Sequence, residues 1–457
     1  MTEHLHLLSS LDSRYAGLTT PLREHLSEFA FLRNRVRVEV DYLSALSRTG
    51  IIRPLSKSEA SQLNSIRSNF SDTDAGVILA HERETRHDVK AIEYFLRDKF
   101  AGTSLTDIIP WLHFGLTSED VNNMAQAIAL RDARDSVLLP ALDNLLECIL
   151  EFARAQRALP MLARTHGQPA VPTTLGKEYA VFLSRLKKGR DEIANHRFEG
   201  KLTGAVGNFN ALQASAPHVD WIKFSDEFLA GYDLAANYAT TQILPYDDWV
   251  RYFDSVRMVN SMLIGLAQDT WRYISDGWLR QVVVQGEVGS STMPQKVNPI
   301  DFENAEGNLG IANALFLHYA QKLPVSRLQR DLSDSTVRRT FGTALGHTLV
   351  AWRNILRGMN RIAPDEEKIR AELNTHWEVV SEGAQTILRA AGKSDAYESL
   401  KNRTRGRTMT KADYRNWAEE IDIDDDTRKR LLDLSPETYL GLAVQLTDRI
   451  IQESGSS

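Results

Sequence analysis

GEVGSSTMPQKVNPIDFEN, residues Gly286 to Asn304, lies between two long helical runs, and the rest of the chain reads as scaffolding for it. Two glycines flank a carboxylate, Ser290 and Ser291 follow, and Pro294, Lys296, Asn298 and Pro299 come in close order. Glycine frees the backbone and proline removes amide donors, so residues 286–299 are predicted to form a loop, with a helix starting near Pro299. Backbone amides, a lysine and a helix N-terminus brought together make a place for negative charge. A solvated linker has no use for Met293, Val297, Ile300 and Phe302 among its polar residues, so the loop is read as a site.

Outward from the loop, apolar residues recur at helical spacing. Upstream, residues 247–279 place Val256, Val259, Met262, Leu263 and Leu266 on one face of a helix too long for a small domain. Downstream, a helix is expected from Pro299 to Gln321. The stretch PVSRLQRDLSDSTVRRTFG then gathers Arg327, Arg330, Ser335, Thr336, Arg338 and Arg339, an anion-binding combination of forked guanidinium groups and hydroxyls, ahead of a helix to Gly358.

Nearer the N-terminus, a helix is expected from Leu22 to Ser47, and Ser56 with Glu59 forms a capping box for the next. A third helix is read through AHERETRHDVKAIEYFLRDKF, with His87 and Asp88 on it. After Pro110, Thr117 or Ser118 caps a helix whose first turn holds Glu119 and Asp120. A helical run over 130–159 carries Pro140 near a kink. His166 sits in a Gly- and Pro-bearing turn, a further helix is closed by Gly200, and a loop presents Thr241 and Gln242. No sustained strand alternation appears, so the fold class is all-α. Its expected organisation is an N-terminal helical domain over 1–110, a central long-helix bundle over 111–363 and a C-terminal helical domain over 364–457.

Composition narrows the function classes. Of 457 residues, 54 are Lys or Arg and 60 are Asp or Glu, a net charge of -6 that argues against broad nucleic-acid binding while leaving room for a local phosphate pocket. Cys148 stands alone, so no intrachain disulfide forms. The first residues lack a basic start followed by an apolar core, and no stretch is apolar enough to span a bilayer, so a cytoplasmic protein without membrane or nucleic-acid partners is expected.

The run from Gly289 to Pro299 resembles GSSxMPxKxNP, the signature of the fumarase, aspartase, argininosuccinate lyase and adenylosuccinate lyase superfamily. RTHGQPAVPTT, TSEDVNN, HDVKAIEYF, RDLSDSTVRR and the Arg14–Tyr15 pair are similar to the adenylosuccinate lyase family in particular. Two positions depart from its pattern. Gln295 stands where the adenylosuccinate lyase family commonly has His or Tyr, giving the MPQK spelling typical of argininosuccinate lyases, and Arg86 stands where a smaller polar residue such as Asn is expected. Argininosuccinate lyase or fumarase activity, and a non-catalytic structural protein on the same scaffold, are the alternatives.

The resemblance implies a central bundle that assembles into a homotetramer with shared active sites, and a reaction that needs neither cofactor nor metal. The implied reaction is β-elimination of fumarate from adenylosuccinate and from the succinyl-carboxamide ribotide (SAICAR) of purine synthesis. Ser290 is the implied base, His166 the acid, and Lys296 with Asn298 the holders of the carboxylate that accumulates charge. Thr117, Ser118 and Gln242 bind the succinyl group, while Arg86, His87, Asp88, Ser291 and Asn304 complete the substrate site. Arg14, Tyr15, Arg330, Ser335 and Arg339 take the nucleotide phosphate, with Thr336 and Arg338 beside them.

Overall fold

The structure is a computed structural model that describes residues 6–282, 286, 292–293, 295–393, 398, 400–401 and 408–455. Helices carry the chain, as expected. Helix α1 (Ala16–Leu26) stops at Ser27, whose side chain accepts the Ala30 N–H and starts α2 (Glu28–Leu46), so the single helix expected from Leu22 is divided there. Helix α3 (Lys57–Ser68) opens with the predicted capping box: Ser56 N–H donates to Glu59 at 2.8 Å and Glu59 N–H to Ser56 at 3.2 Å. The helix expected through residues 80–100 is also two. Helix α4 (Asp72–Thr85) closes on Arg86 in the left-handed region, φ 53°, and α5 (Asp88–Phe100) begins afresh after His87.

Helix α6 (Ser118–Ala133) runs through a π-helical turn, Arg134–Leu138, into α7 (Leu139–Ala155). The widened turn sits just ahead of Pro140, which has no N–H to give the preceding turn. The chain then forms a hairpin that helical periodicity does not reveal, β1 (Pro160–Thr165) against β2 (Gln168–Thr174), before α8 (Leu175–Asn195). Short helices α9 (Asn210–Ser215) and α10 (Trp221–Ala230) precede the long α11 (Asp247–Ser275) and α12 (Ile300–Lys322); the one-turn-and-a-half α13 (Ser333–Arg338) leads to α14 (Phe341–Met359). Among the described residues, six further helical segments, none longer than 13 residues, reach Gly455.

The chain divides into two compact units. One comprises the residues up to Ala141, Arg190–Asn260 and Asn308–Val350; the other comprises Leu142–Gly189, Ser261–Gly307 and the residues from Ala351 on. The dividing points fall within α7, α8, α11, α12 and α14. In the first unit, Phe253 packs against Phe316, Tyr319 and Phe341 with ring centroids 4.6–5.5 Å apart, an aromatic core of large buried area. In the second, Tyr179 packs on Phe152 at 4.4 Å and shares a hydrogen bond with Thr270 at 2.9 Å, while the Trp278 indole N–H donates to Glu372 at 2.6 Å.

Candidate active site

The start of α6 is built on a buried ion pair. Asp120 accepts the Thr117 N–H at 2.8 Å, which fixes the first turn, and receives the Lys201 ammonium at 2.6 Å with both side chains wholly out of solvent. The same carboxylate accepts the Thr203 and Gly204 amides at 3.1 and 3.2 Å. Four donors on one carboxylate satisfy a charge that would otherwise be prohibitive to bury. Thr203 in turn shares a hydrogen bond with Thr240 at 2.8 Å. The next residues, Thr241 and Gln242, bond to the Gln329 carbonyl, and Arg330 reaches Gln242 at 3.4 Å. The helix start, the Gln242 loop and the arginine-rich segment are thus tied through one network.

Its neighbour Glu119 organises the arginines. Wholly buried, it pairs with Arg330 at 3.1 Å and with Arg338 at 3.1 and 3.2 Å, and accepts from Asn122 at 3.0 Å. Burial alone pushes this carboxyl up, but the Arg338 and Arg330 guanidinium groups overcome it and hold Glu119 down at about 2. Arg338 also meets Asp334 at 3.0 Å, so its charge is taken up inside the protein. Arg339, next along α13, points outward instead, donating to Ser335 at 3.2 Å, and Thr336 is exposed.

These groups open onto a cavity of about 640 Å³. Arg86, His87, Asp88, Ser118, Arg330, Ser335, Arg338 and Arg339 all line it, so three separate stretches of expectation reduce to one wall. Five arginines, including the unforeseen Arg35, and three carboxylates, Glu28, Glu82 and Asp88, line it; Arg330 and Arg338 are already paired with Glu119, and Arg35 with Asp88. The buried Nε atoms of Arg330 and Arg338 have no hydrogen-bond partner among the described residues. A second cavity of about 630 Å³ shares His87 and Ser118 and adds Thr117, Lys90 and His113. There His113 meets the buried Glu39 at 2.5 Å. Burial lowers the imidazole, yet Glu39 outweighs it and the net shift is upward.

Gln242 lies behind this wall, bonded to Arg330, and does not line either cavity. Arg14 and Tyr15 stand at the entry of α1, Arg14 exposed and Tyr15 half-buried, and line neither cavity. His166 belongs to the second unit, at the tip of the β1–β2 hairpin. It and Gly167 take φ of 53° and 75° between the paired Thr165 and Gln168, a two-residue turn with both centres left-handed. The turn holds the imidazole out into solvent. Lys296 is exposed, Asn298 half-buried, and Asn304, on α12, bonds to Asn354. Ser290 and Ser291 lie outside the described residues.

Sequence reasoning passed over Arg35, Asn122, Glu119 as an arginine partner, and Lys201. One signal was available: TSEDVNN crowds polar side chains into a helix that is buried on nearly every face, which is tolerable only if each has a partner elsewhere in the chain. Among the described residues no cluster of three or more His, Cys, Asp or Glu is arranged to hold a metal ion, and no helix is long and apolar enough to cross a membrane.

Known proteins share this sequence and architecture. Residues 14–312 match a family model described as Lyase, and residues 326–440 one described as Adenylosuccinate lyase C-terminal. Curated adenylosuccinate lyases of Haemophilus influenzae and Vibrio cholerae are each 44% identical, covering 98% of this chain and 99% of theirs; that of Dictyostelium discoideum is 41% identical over 96% and 97%. Among solved structures, a 3-carboxy-cis,cis-muconate lactonizing enzyme from Pseudomonas putida superposes with a TM-score of 0.78 at 21% identity over 96% of this chain and 98% of that one. A fumarate lyase from Mesorhizobium sp. BNC1 does so with 0.76 at 18% over 95% and 97%, which speaks to fold alone.

Proposed function

We infer that this chain, which belongs to the adenylosuccinate lyase family, cleaves adenylosuccinate to AMP and fumarate, and SAICAR to its carboxamide and fumarate. The observation that carries this reading is the arginine-lined cavity: Arg330, Ser335 and Arg339 offer guanidinium groups and a hydroxyl to a phosphate dianion, beside the N-terminus of α6. Fumarate, malate and argininosuccinate carry no phosphate to occupy it.

In the elimination a base takes the proton from the carbon next to a carboxylate, the C–N bond breaks as the C=C bond forms, and an acid returns a proton to the departing nitrogen. Ser290 is assigned the first role and His166 the second. Lys296 and Asn298 hold the carboxylate on which the carbanion's charge spreads. A serine hydroxyl is far too weak an acid to ionise unaided, so cationic and amide donors around it must stabilise the alkoxide. Ser118 and Thr117, at the positive end of α6, suit the succinyl carboxylates. Arg14 and Tyr15 add to the phosphate site in this reading.

A homotetramer with shared sites accompanies the proposal. Helix α12 is apolar with little preference for one face, and Ile311 and Leu317 stand about half exposed near Gly307 and Gly310, where an added Cβ would meet open space. Such a helix calls for a covering partner, and glycines permit close approach. The exposed His166 turn and the exposed Met293, Val297 and Ile300 fit the same need. The protein would act in the cytoplasm. Purified protein offered adenylosuccinate, argininosuccinate and malate in separate reactions tests the assignment: fumarate should appear from adenylosuccinate alone. Release from argininosuccinate, or the hydration of fumarate, would overturn it.

A further inference from the structure

Arg35 sits in the middle of α2 with only 4% of its surface exposed, amid Leu32, Val36 and Val38, where a guanidinium has no place unless it is fully employed. Its Nε–H donates to Asn122 at 2.8 Å, its Nη2 donates to Asp88 at 2.5 Å, and its guanidinium carbon lies 4.0 Å over the Phe31 ring. Fork, ion pair and stacking together define one orientation, which a flexible ammonium could not reproduce. Both polar partners lead into the cavity. Asn122 passes the connection to Glu119, and so to Arg330 and Arg338. Asp88 is the first residue of α5, immediately after His87.

His87 itself is chemically constrained by where it sits. As the N-cap of α5 it accepts the Lys90 N–H on Nδ1 at 3.1 Å. A ring nitrogen that accepts cannot carry a proton, so the neutral ring bears its proton on Nε2. Nε2–H is then the ring's donor, on a residue that lines both cavities.

We propose that Arg35 is a positioning residue for this site: by holding Asp88 at the first turn of α5 and Asn122 on α6, it keeps His87 as a neutral Nε2–H donor aimed at an anionic oxygen of the substrate. The inference rests on reading the cavity as the lyase site, and its first test needs no substrate. Histidine-labelled ligand-free protein is observed by solid-state 15N NMR, with His87 identified by its loss in His87→Asn. The wild-type protein shows the Nε2-protonated neutral tautomer, Arg35→Gln shows a mixture, and Arg35→Lys also fails to restore the single form because it cannot bond to both partners.

In turnover, Arg35→Gln raises KM for adenylosuccinate about tenfold or more, the loss of one charge-assisted hydrogen bond, with kcat changed far less. Should Arg35→Gln not fold, Asp88→Asn, which keeps Arg35 and its bond to Asn122, must give the same tautomer mixture and KM rise. An Nδ1-protonated or imidazolium His87 in the wild type overturns the proposal. So does an unchanged signature with unchanged KM in whichever variant folds, or full rescue by Arg35→Lys. Tautomer changes in a protein that releases no fumarate from adenylosuccinate would sink the functional reading and leave the positioning of His87 standing.

Discussion

Replacing Lys201 with methionine puts the network under the cavity to a quantitative test. Methionine keeps most of the stem volume but removes the ammonium that lies 2.6 Å from Asp120 and 2.9 Å from the Gly204 carbonyl, with neither charged side chain exposed. Stripping one partner from a buried ion pair costs about 3–5 kcal/mol, and Asp120 retains the amides of Thr117, Thr203 and Gly204, which places the variant near the lower end, about 3 kcal/mol. The carbonyl left without its donor adds about 1 kcal/mol, for a total near 4 kcal/mol. The readout is native-state amide exchange at Lys201, Thr203 and Gly204, which should quicken by roughly a hundred- to a thousandfold, with the amides of α3 as internal control. Adding Asp120→Asn removes the stranded charge and should recover much of the loss. KM should also rise, because Thr203 locates Thr240 and the Gln242 loop beyond it. Exchange within about threefold of the wild type would refute the view that this pair anchors the site, since it would mean less than about 1 kcal/mol of coupling.

Other consequences are open to direct measurement. His166→Ala and Ser290→Ala should each abolish turnover with the helical circular dichroism intact, and mixing the two inactive proteins after subunit exchange should restore activity; none would mean that both groups come from one chain. Glu119, held at about 2 against an ordinary 4.5, contributes stability that is complete above pH 4.5 and is lost as the pH falls toward 2, roughly 3 kcal/mol in all. Urea denaturation of wild type and Glu119→Gln should therefore differ most near neutrality and converge in acid; a gap that widens as pH falls would contradict the pairing with Arg330 and Arg338. Gly207→Ala should destabilise the Gln242 loop by about 2 kcal/mol or more and raise KM, because its φ is 83° and a Cβ would come within 2.3 Å of the Thr240 carbonyl oxygen. Normal KM and stability in that variant would show that the loop can move aside.

The long helices were legible because α11 and α14 bury a stripe at helical spacing, and the capping box at Ser56 because its two bonds are local. Helix ends set by single side chains were not: Ser27 and Arg86 interrupt stretches whose apolar period runs on unbroken, and only the three-dimensional path of the chain calls for the break. The hairpin around His166 escaped for a related reason, since β1 and β2 bury few residues in strict alternation and are joined by a turn that the His-Gly pair alone does not announce. Much of the cavity wall was anticipated, because arginines and hydroxyls crowded between residues 330 and 339 have an evident use as an anion site. Its supporting partners were hidden, since Glu119 looked like an ordinary first-turn acid and Arg35 stood out by no motif, and a partner 219 residues distant leaves no local trace.

The account turns on whether this cavity reads a nucleotide phosphate, and isothermal titration of AMP and adenosine into wild type and Arg339→Ala measures that most directly. Losing one charge-assisted hydrogen bond worth about 1.5–3 kcal/mol should weaken AMP by roughly ten- to a hundredfold while leaving adenosine unchanged. Equal losses for the two ligands would mean that Arg339 supports the fold and that the phosphate is bound elsewhere or not at all.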